Sequence, residues 1–367
     1  MQPQPHFSSF KGIKRILIVK LKHIGDVLLA TPCIRALYEA FPDARISALV
    51  NDESASILVN HPLLEEVLAF PRGNLRSRPA SRIASELSFL GRVRRCSFDM
   101  VVDLTSGDRA AWLTRLSGAR YRVAYDPHGK GFLGKRFLYN LLAPFPFDPD
   151  LHHVQKDLGL LEHFGIMASR PRLELYPTEE DVTAADRAIS GLGLKNGDSF
   201  IVAHPTSRWL FKCWADERFA ALVDWLQNVH GFSVILTCGP NERELGRVRH
   251  VLEFCSSKPH VLFGELGLTQ WAALVKKARL FVGVDSAPMH IAASQGTPTL
   301  AFFGPTGFQN WRPWAVQHAV LVRDCPCSRG RRLDCDWTRT RACMTAITLE
   351  EAQTAVSDLL KQPHSRS

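Results

Sequence analysis

The strongest constraint in this chain is a change of hydrophobic period that repeats along its length. "RILIVK" at residues 15–20 is a short continuous apolar run, the mark of a strand buried on both faces. "GDVLLATPCIRALYEAF" at 25–41 follows with Val27, Ala30, Ile34, Leu37, Tyr38 and Phe41 at helical spacing. "RISALV" at 45–50, "FDMVVDL" at 98–104 and "YRVAY" at 121–125 read as further strands of the same sheet. Strands alternating with helices predict a parallel, doubly wound α/β sheet, because each parallel crossover needs a covering helix.

The alternation breaks at "MASRPRLELYPTEED", residues 167–181, where prolines and mixed polarity read as an interdomain linker. A second series then begins. Strands are expected at 199–205, 232–239, 260–263, 280–285 and 297–304, with helices at 216–229, 241–254 and 269–278 between them. "TLEEAQTAVSDLLKQ" at 348–362 is an amphipathic helix opened by Thr348 with Glu351 three residues on, a capping box. The expected organisation is two Rossmann-like domains: residues 1–172, a linker at 173–185, residues 186–346, and a closing helix and tail at 347–367 packing toward the first domain. Ligands in such folds sit at the carboxyl ends of the strands, here in a cleft between two sheets.

Bulk composition narrows the classes. At 367 residues the chain is long for one core, and 46% hydrophobic with 22% charged residues is globular composition. A formal net charge of +9 favours anionic partners such as nucleic acid, phosphorylated substrates or an acidic membrane face. No apolar run reaches the roughly 20 residues that cross a bilayer. The first residues hold no apolar signal-peptide core, which points to a cytoplasmic protein. Nine irregularly spaced cysteines then read as reduced thiols or ligands before disulfides.

Two motif-like stretches fail on context. "GKGFLGKR" at 129–136 satisfies G-x-G-x-x-G, but Arg136 replaces the Ser or Thr of a phosphate-binding loop and no strand-end acid follows. It reads as a mobile basic loop carrying Lys130, Lys135 and Arg136 toward an anionic substrate. Cys325, Cys327, Cys335 and Cys343 fall within nineteen residues, yet their spacing is not the usual C-x₂-C of a zinc site. Zinc on these four and a loop of reduced thiols are both open readings.

Three other stretches carry chemistry. In "KLKHIGDVLLATP", Asp26 falls at or beside a helix N-terminus; it is either an N-cap or a general base for a substrate hydroxyl. In "HPTSRWLFKCW", Thr206, Ser207 and Lys212 follow a strand and suit phosphate oxygens, or form a solvated loop. In "GVDSAPMH", Ser286 and the free N–H groups of the next helix can accept a diphosphate, with Pro288 harmless in the first turn and His290 above it. His290 by itself reads as a structural histidine. Together the three suit transfer from a nucleotide-activated donor to an acceptor hydroxyl. No D-x-D motif in a suitable setting is present, in keeping with a metal-free reaction that needs no cofactor.

These stretches resemble the bacterial lipopolysaccharide heptosyltransferases, glycosyltransferase family 9 of the GT-B fold. "RILIVKLKHIGDVLLATPCIRAL", "HPTSRWLFKCWADERFAALVDWL" and "GVDSAPMHIAASQGTPTLAFFGPT" look like its signatures in order and spacing, and "FKCW" with "WRPW" looks most like the enzymes adding the third, branching heptose. The resemblance implies inverting transfer from ADP-L-glycero-D-manno-heptose to a heptose of the phosphorylated inner core. It implies Asp26 as base, Thr206, Ser207 and Lys212 on the donor phosphates, and Asp285 on sugar hydroxyls. It further places Ser286, Ala287 and His290 beside the diphosphate and Glu242 on the ribose, with Glu244 competing for that last role. The acceptor, at the inner face of the inner membrane, would meet Lys22, His23, Lys130 and a basic face with Arg72, Arg76, Arg78, Arg92, Arg94 and Arg95. Nucleic acid is not an expected partner. The alternatives are a same-family transferase with another nucleotide-sugar or acceptor, and a nucleotide-binding module without catalysis; a dehydrogenase is disfavoured, since no G-x-G-x-x-G follows a credible strand.

Overall fold

The computed structural model describes residues 10–71, 79–195, 197–323 and 342–361. The chain divides between Tyr176 and Pro177 into two units, each built on its own parallel sheet. Strands β1 (Arg15–Lys20), β2 (Arg45–Asn51), β3 (Glu66–Phe70), β4 (Met100–Asp103), β5 (Tyr121–Tyr125) and β6 (Leu141–Ala143) pair in the order β3-β2-β1-β4-β5-β6. Strands β7 (Phe200–His204), β8 (Ser233–Thr237), β9 (His260–Leu262), β10 (Leu280–Val284), β11 (Thr299–Phe303) and β12 (His318–Val322) pair as β12-β11-β10-β7-β8-β9. Counted from its own first strand, the second order is the same as the first. Each sheet therefore reverses direction beside its first strand, at β1/β4 and at β7/β10, and leaves a crevice at the carboxyl ends there.

In the first unit the helices are α1 (Ile24–Leu29), α2 (Thr31–Ala40), α3 (Pro79–Arg95), α4 (Asp108–Leu116) and α5 (His153–Glu162). The helix expected over 25–41 is thus two helices joined at Ala30. Pro32 stands in the first turn of α2, where its missing N–H is tolerated, and the Thr31 hydroxyl donates to Leu28 O at 2.7 Å to close the joint. Tyr38, expected on the apolar face, is exposed.

The second unit carries α6 (Glu179–Gly191), α7 (Asp216–Asn228), α8 (Glu242–Phe254), α9 (Leu268–Lys277), α10 (Ala287–Ser294), α11 (Phe308–Trp311), α12 (Ala342–Thr345) and α13 (Leu349–Lys361). Half of the stretch expected as linker is helical: Thr178 caps α6 reciprocally with Asp181, and α6 packs on α9. The closing helix α13 was expected to turn toward the first domain. Its apolar face, Ala352, Val356 and Leu359, is instead buried in the second unit's core with α7 and β11. The Thr348–Glu351 capping box forms as read, with Thr348 N donating to the carboxylate at 2.9 Å and Glu351 N to the hydroxyl at 3.3 Å.

β3, β6 and β12 were not legible as strands. β3 and β12 are five-residue edge strands and β6 is an edge strand of three residues, short apolar runs that period alone does not assign.

Trp214 ties the second core together. Its ring stacks on Phe302 with centroids 4.4 Å apart, and its Nε1 donates to Ile347 O at 3.0 Å, just before α13. Trp214→Ala should cost about 3–5 kcal/mol, the usual loss for a buried tryptophan. Urea unfolding followed by circular dichroism would show it as a lowered midpoint.

Candidate functional site

The second unit gathers its polar residues at the β7/β10 crevice. β7 and β10 are neighbours in register, with Gly283 beside His204. Gly283 must be glycine: a Cβ there would lie 2.6 Å from the Phe281 ring and 3.1 Å from His204 O. The loops leaving the two strands consequently start side by side. Lys212, on a one-turn 3₁₀ helix at Leu210–Lys212, places Nζ 2.7 Å from Asp285 Oδ2. The Thr306 hydroxyl, from the loop after β11, donates to the same oxygen at 2.7 Å. Asp285 is buried, so these two donors offset its desolvation.

Ser286 holds the N-cap position of α10 without capping it. Its hydroxyl donates back to Val284 O at 3.1 Å and makes no capping bond to the first N–H groups of the helix. Ala287 is the first helical residue and Pro288 the second; His290 is buried one turn in. Thr206, at the end of β7, is fully buried, and its hydroxyl has no hydrogen-bond partner among the described residues. The Ser207 hydroxyl accepts from Trp209 N at 3.3 Å. An uncapped helix N-terminus, a buried unsatisfied hydroxyl and an ammonium on adjoining loops make an arrangement suited to an anion.

His204 was not singled out by the sequence, and Glu244 only as a competitor of Glu242. The His204 Nδ1 lies 2.9 Å from the Thr237 hydroxyl, and complete burial pushes the imidazole down to about 3, so it is neutral. Glu244 is buried and folds back to accept from Gly239 N at 3.1 Å and from the Asn241 amide, closing the turn into α8. Glu242, at the first position of α8, is exposed. Of the two acids read as ribose ligands, Glu244 is thus engaged by its own loop and Glu242 faces solvent.

In the first unit, Asp26 lies in the first turn of α1, three residues after the N-cap His23, and is half-buried. It is not the N-cap. Among the described residues no hydrogen bond engages its carboxylate. The preceding loop is held by Asn51 Nδ2 and the Ser54 hydroxyl, which donate to Lys22 O at 2.9 and 3.2 Å. Lys22 and His23 are exposed, and His23 Nδ1 is 3.0 Å from Glu53.

Two buried groups beside this loop escaped the sequence reading. Lys20, the last residue of β1, pairs with Asp157 of α5 at 2.5 Å and donates to Leu104 O at 3.2 Å. Burial pushes Asp157 up and Lys20 pulls it back, with Asp26 adding repulsion. Asp103, the last residue of β4, accepts from Thr105 N (2.8 Å), Ser106 N (3.2 Å) and Tyr139 OH (2.6 Å). Lys20 and Asp103 stand at the ends of the runs read as strands at 15–20 and 98–104, and the charged residue there was the available signal; the helix carrying Asp157 was not read.

The basic loop differs from its expectation. Lys130 and Arg136 are exposed, but Lys135 is buried, donating to Ser106 O at 2.8 Å and pairing with Asp108 at 3.0 Å. Arg92, Arg94 and Arg95 are exposed on α3, whereas Arg72, Arg76 and Arg78 lie outside the described residues. So do Cys325, Cys327 and Cys335; Cys343 is buried in the second core. Among the described residues no group of three or more His, Cys, Asp or Glu side chains comes together. No described helix is long and apolar enough to cross a membrane.

Residues 87–338 match the family described as glycosyltransferase family 9 (heptosyltransferase). Lipopolysaccharide heptosyltransferase 3 of Escherichia coli K12 is 34% identical over 297 residues, covering 80% of this chain and 83% of that protein. Among solved structures, a family 9 glycosyl transferase from Veillonella parvula superposes with a TM-score of 0.80 at 24% identity, covering 95% of this chain and 97% of that one. E. coli heptosyltransferase WaaC with ADP-2-deoxy-2-fluoro heptose superposes with a TM-score of 0.69 at 21% identity, covering 94% and 99%.

The His204 geometry has a pH consequence. Its folded value, about 3, lies below the ordinary 6.5, so the unfolded chain binds the extra proton; its share of stability is present above pH 6.5 and lost as pH falls toward 3. His204→Gln should flatten the fall in melting temperature between about pH 6.5 and 4. Differential scanning fluorimetry across that range is the check.

Proposed function

Since the chain belongs to glycosyltransferase family 9 and is a lipopolysaccharide heptosyltransferase, we propose that it moves L-glycero-D-manno-heptose from ADP-heptose to a heptose of the phosphorylated inner core, with inversion and without a metal or cofactor. The observation that carries the donor side is the uncapped N-terminus of α10 next to the Lys212–Asp285 pair and the unsatisfied Thr206 hydroxyl.

In this reading the diphosphate takes the N–H groups at Ser286 and Ala287, with Thr206, Ser207 and Lys212 donating to its oxygens and His290 bordering it. Lys212 then stabilises the charge that grows on the leaving phosphate, the service a divalent cation performs elsewhere. Asp285 accepts from hydroxyls of the donor heptose as Lys212 turns to the phosphate. Glu242 takes the ribose hydroxyls: it is exposed, whereas Glu244 is occupied closing its own turn.

Asp26 is the base. It removes the proton from the acceptor hydroxyl as that oxygen bonds the anomeric carbon; the bond from carbon to phosphate oxygen breaks, and ADP leaves with the electron pair. The half-buried carboxylate at a helix N-terminus, engaged by no hydrogen bond among the described residues, suits this role. Lys22, His23 and Lys130, with Arg76 and Arg78, meet the acceptor's phosphates. The reaction takes place in the cytoplasm at the inner face of the inner membrane, where that acceptor is presented; the positive net charge suits such a surface.

Incubation with ADP-heptose and a set of truncated core acceptors, read by product mass, identifies donor and acceptor; no product with any acceptor would overturn the assignment. Asp26→Asn should lower kcat about a hundredfold to ten-thousandfold while ADP affinity, measured by calorimetry, stays within about twofold. Retained turnover would remove Asp26 as base. Lys212→Met should weaken ADP binding by about tenfold or more, as expected for a lost charge-assisted contact.

A further inference from the structure

The stretch "GKGFLGKR", rejected as a nucleotide loop, has an unusual surface. Leu133 is 102% exposed and Phe137 81%, among the most exposed large apolar side chains described. Their exposure is built in. Gly131 adopts φ +94°, and a Cβ there would lie 2.3 Å from Asp108 Oδ1, so the loop can fold back on α4 only with glycine. Lys135 anchors it from beneath through Ser106 O and Asp108. Leu138 and Tyr139 turn into a small core with Ala111 and Ala124. A buried lysine below and buried residues behind leave the tip apolar and outward.

The tip continues onto α4. Phe132 stacks on Trp112 with centroids 5.4 Å apart and planes 11° from parallel, and Trp112 and Leu116, four residues apart on one helix face, are both exposed. Phe137 lies over Gly134, next to Leu133. Lys130 of the loop, Arg115 of α4 and Arg120 just beyond α4 are exposed, whereas Asp108 and Asp126 are paired with Lys135 and Arg136. A leucine and aromatic tip with cations on the same loop and helix is the chemistry of an interfacial anchor, in which apolar side chains enter the boundary between headgroups and acyl chains while cations meet anionic headgroups.

We infer that the loop at residues 129–138 and the outer face of α4 form the surface by which this protein docks on an anionic lipid bilayer. The inference deepens the reading of a membrane-presented acceptor and rests on it for its purpose. The charge complementarity selects the anionic bilayer over a neutral one, and over a second copy carrying the same cations.

The test is co-sedimentation of the full chain with vesicles of phosphatidylethanolamine and phosphatidylglycerol, beside vesicles of phosphatidylcholine. The wild type should bind the anionic vesicles at low salt, lose that binding at high salt, and bind the neutral ones weakly. L133S/F137S should lower partitioning onto anionic vesicles by about tenfold or more, with unchanged circular dichroism, melting temperature and ADP affinity. Wild-type partitioning by the double variant would overturn the inference, as would equal binding to neutral vesicles. A concentration-dependent dimer that the double variant dissolves would assign the patch to a second copy. Transfer to a water-soluble, delipidated core acceptor separates the two levels: L133S/F137S should retain it in full, and its absence in the wild type would refute the functional reading whatever the vesicles show.

Discussion

The contact on which the candidate site depends is the pairing of Lys212 with Asp285. A buried carboxylate is costly unless it is compensated, and here an ammonium and the Thr306 hydroxyl converge on one of its oxygens. The three donors and acceptors come from loops after β7, β10 and β11, so the pair holds three separate strand ends in one place. Gly283 permits it by letting β10 approach β7 without a side chain in the way. Trp214, two residues beyond Lys212, roots that loop in the core through Phe302 and Ile347. The site's cation is therefore positioned by hydrophobic packing as much as by charge.

The same strand order in both units explains why chemistry appears where it does. In each sheet the first strand has neighbours whose connections run to opposite sides, so the loops after it diverge and leave room for a ligand. In the second unit that room is bordered by Thr206, Ser286 and the open end of α10. In the first, the corresponding positions are Lys20 and Asp103, both buried and fully engaged, with half-buried Asp26 just beyond them. One crevice thus leaves polar groups unsatisfied and the other consumes them, which suits an anion in the second unit and a lone carboxylate in the first.

The first unit also spends buried charge on shape. Lys20–Asp157 joins β1 to α5, and Lys135 folds the glycine-rich loop onto α4 through Asp108 and Ser106. Removing one partner of such a pair costs more than the pair itself contributes, because the other charge is left dry. Lys135 with Asp108 and Ser106 pins the loop that carries the exposed Leu133.

The alternation of apolar runs with helical periods determined the two α/β units, because a strand buried on both faces and a helix buried on one leave different patterns in any sequence. The same local logic made the Thr348–Glu351 box, the strand end at Lys20, the ends of β7 and β10 to within one residue, and the stretches bearing Asp26, Lys212 and Asp285 legible. The edge strands β3, β6 and β12 were not, since apolar runs this short carry no distinguishing period. Tertiary structure alone decided the partnerships: that Lys212 meets Asp285 across seventy-three residues, that Thr306 joins them, that Glu244 rather than Glu242 closes the α8 turn, and that α13 belongs to the second core. Lys135, read as a cation of a mobile basic loop, is instead buried, because Gly131 leaves room for Asp108 to approach it. Periodicity records which face of an element is dry; it holds no record of which distant side chain will share the dry space, and that is settled only when the chain folds.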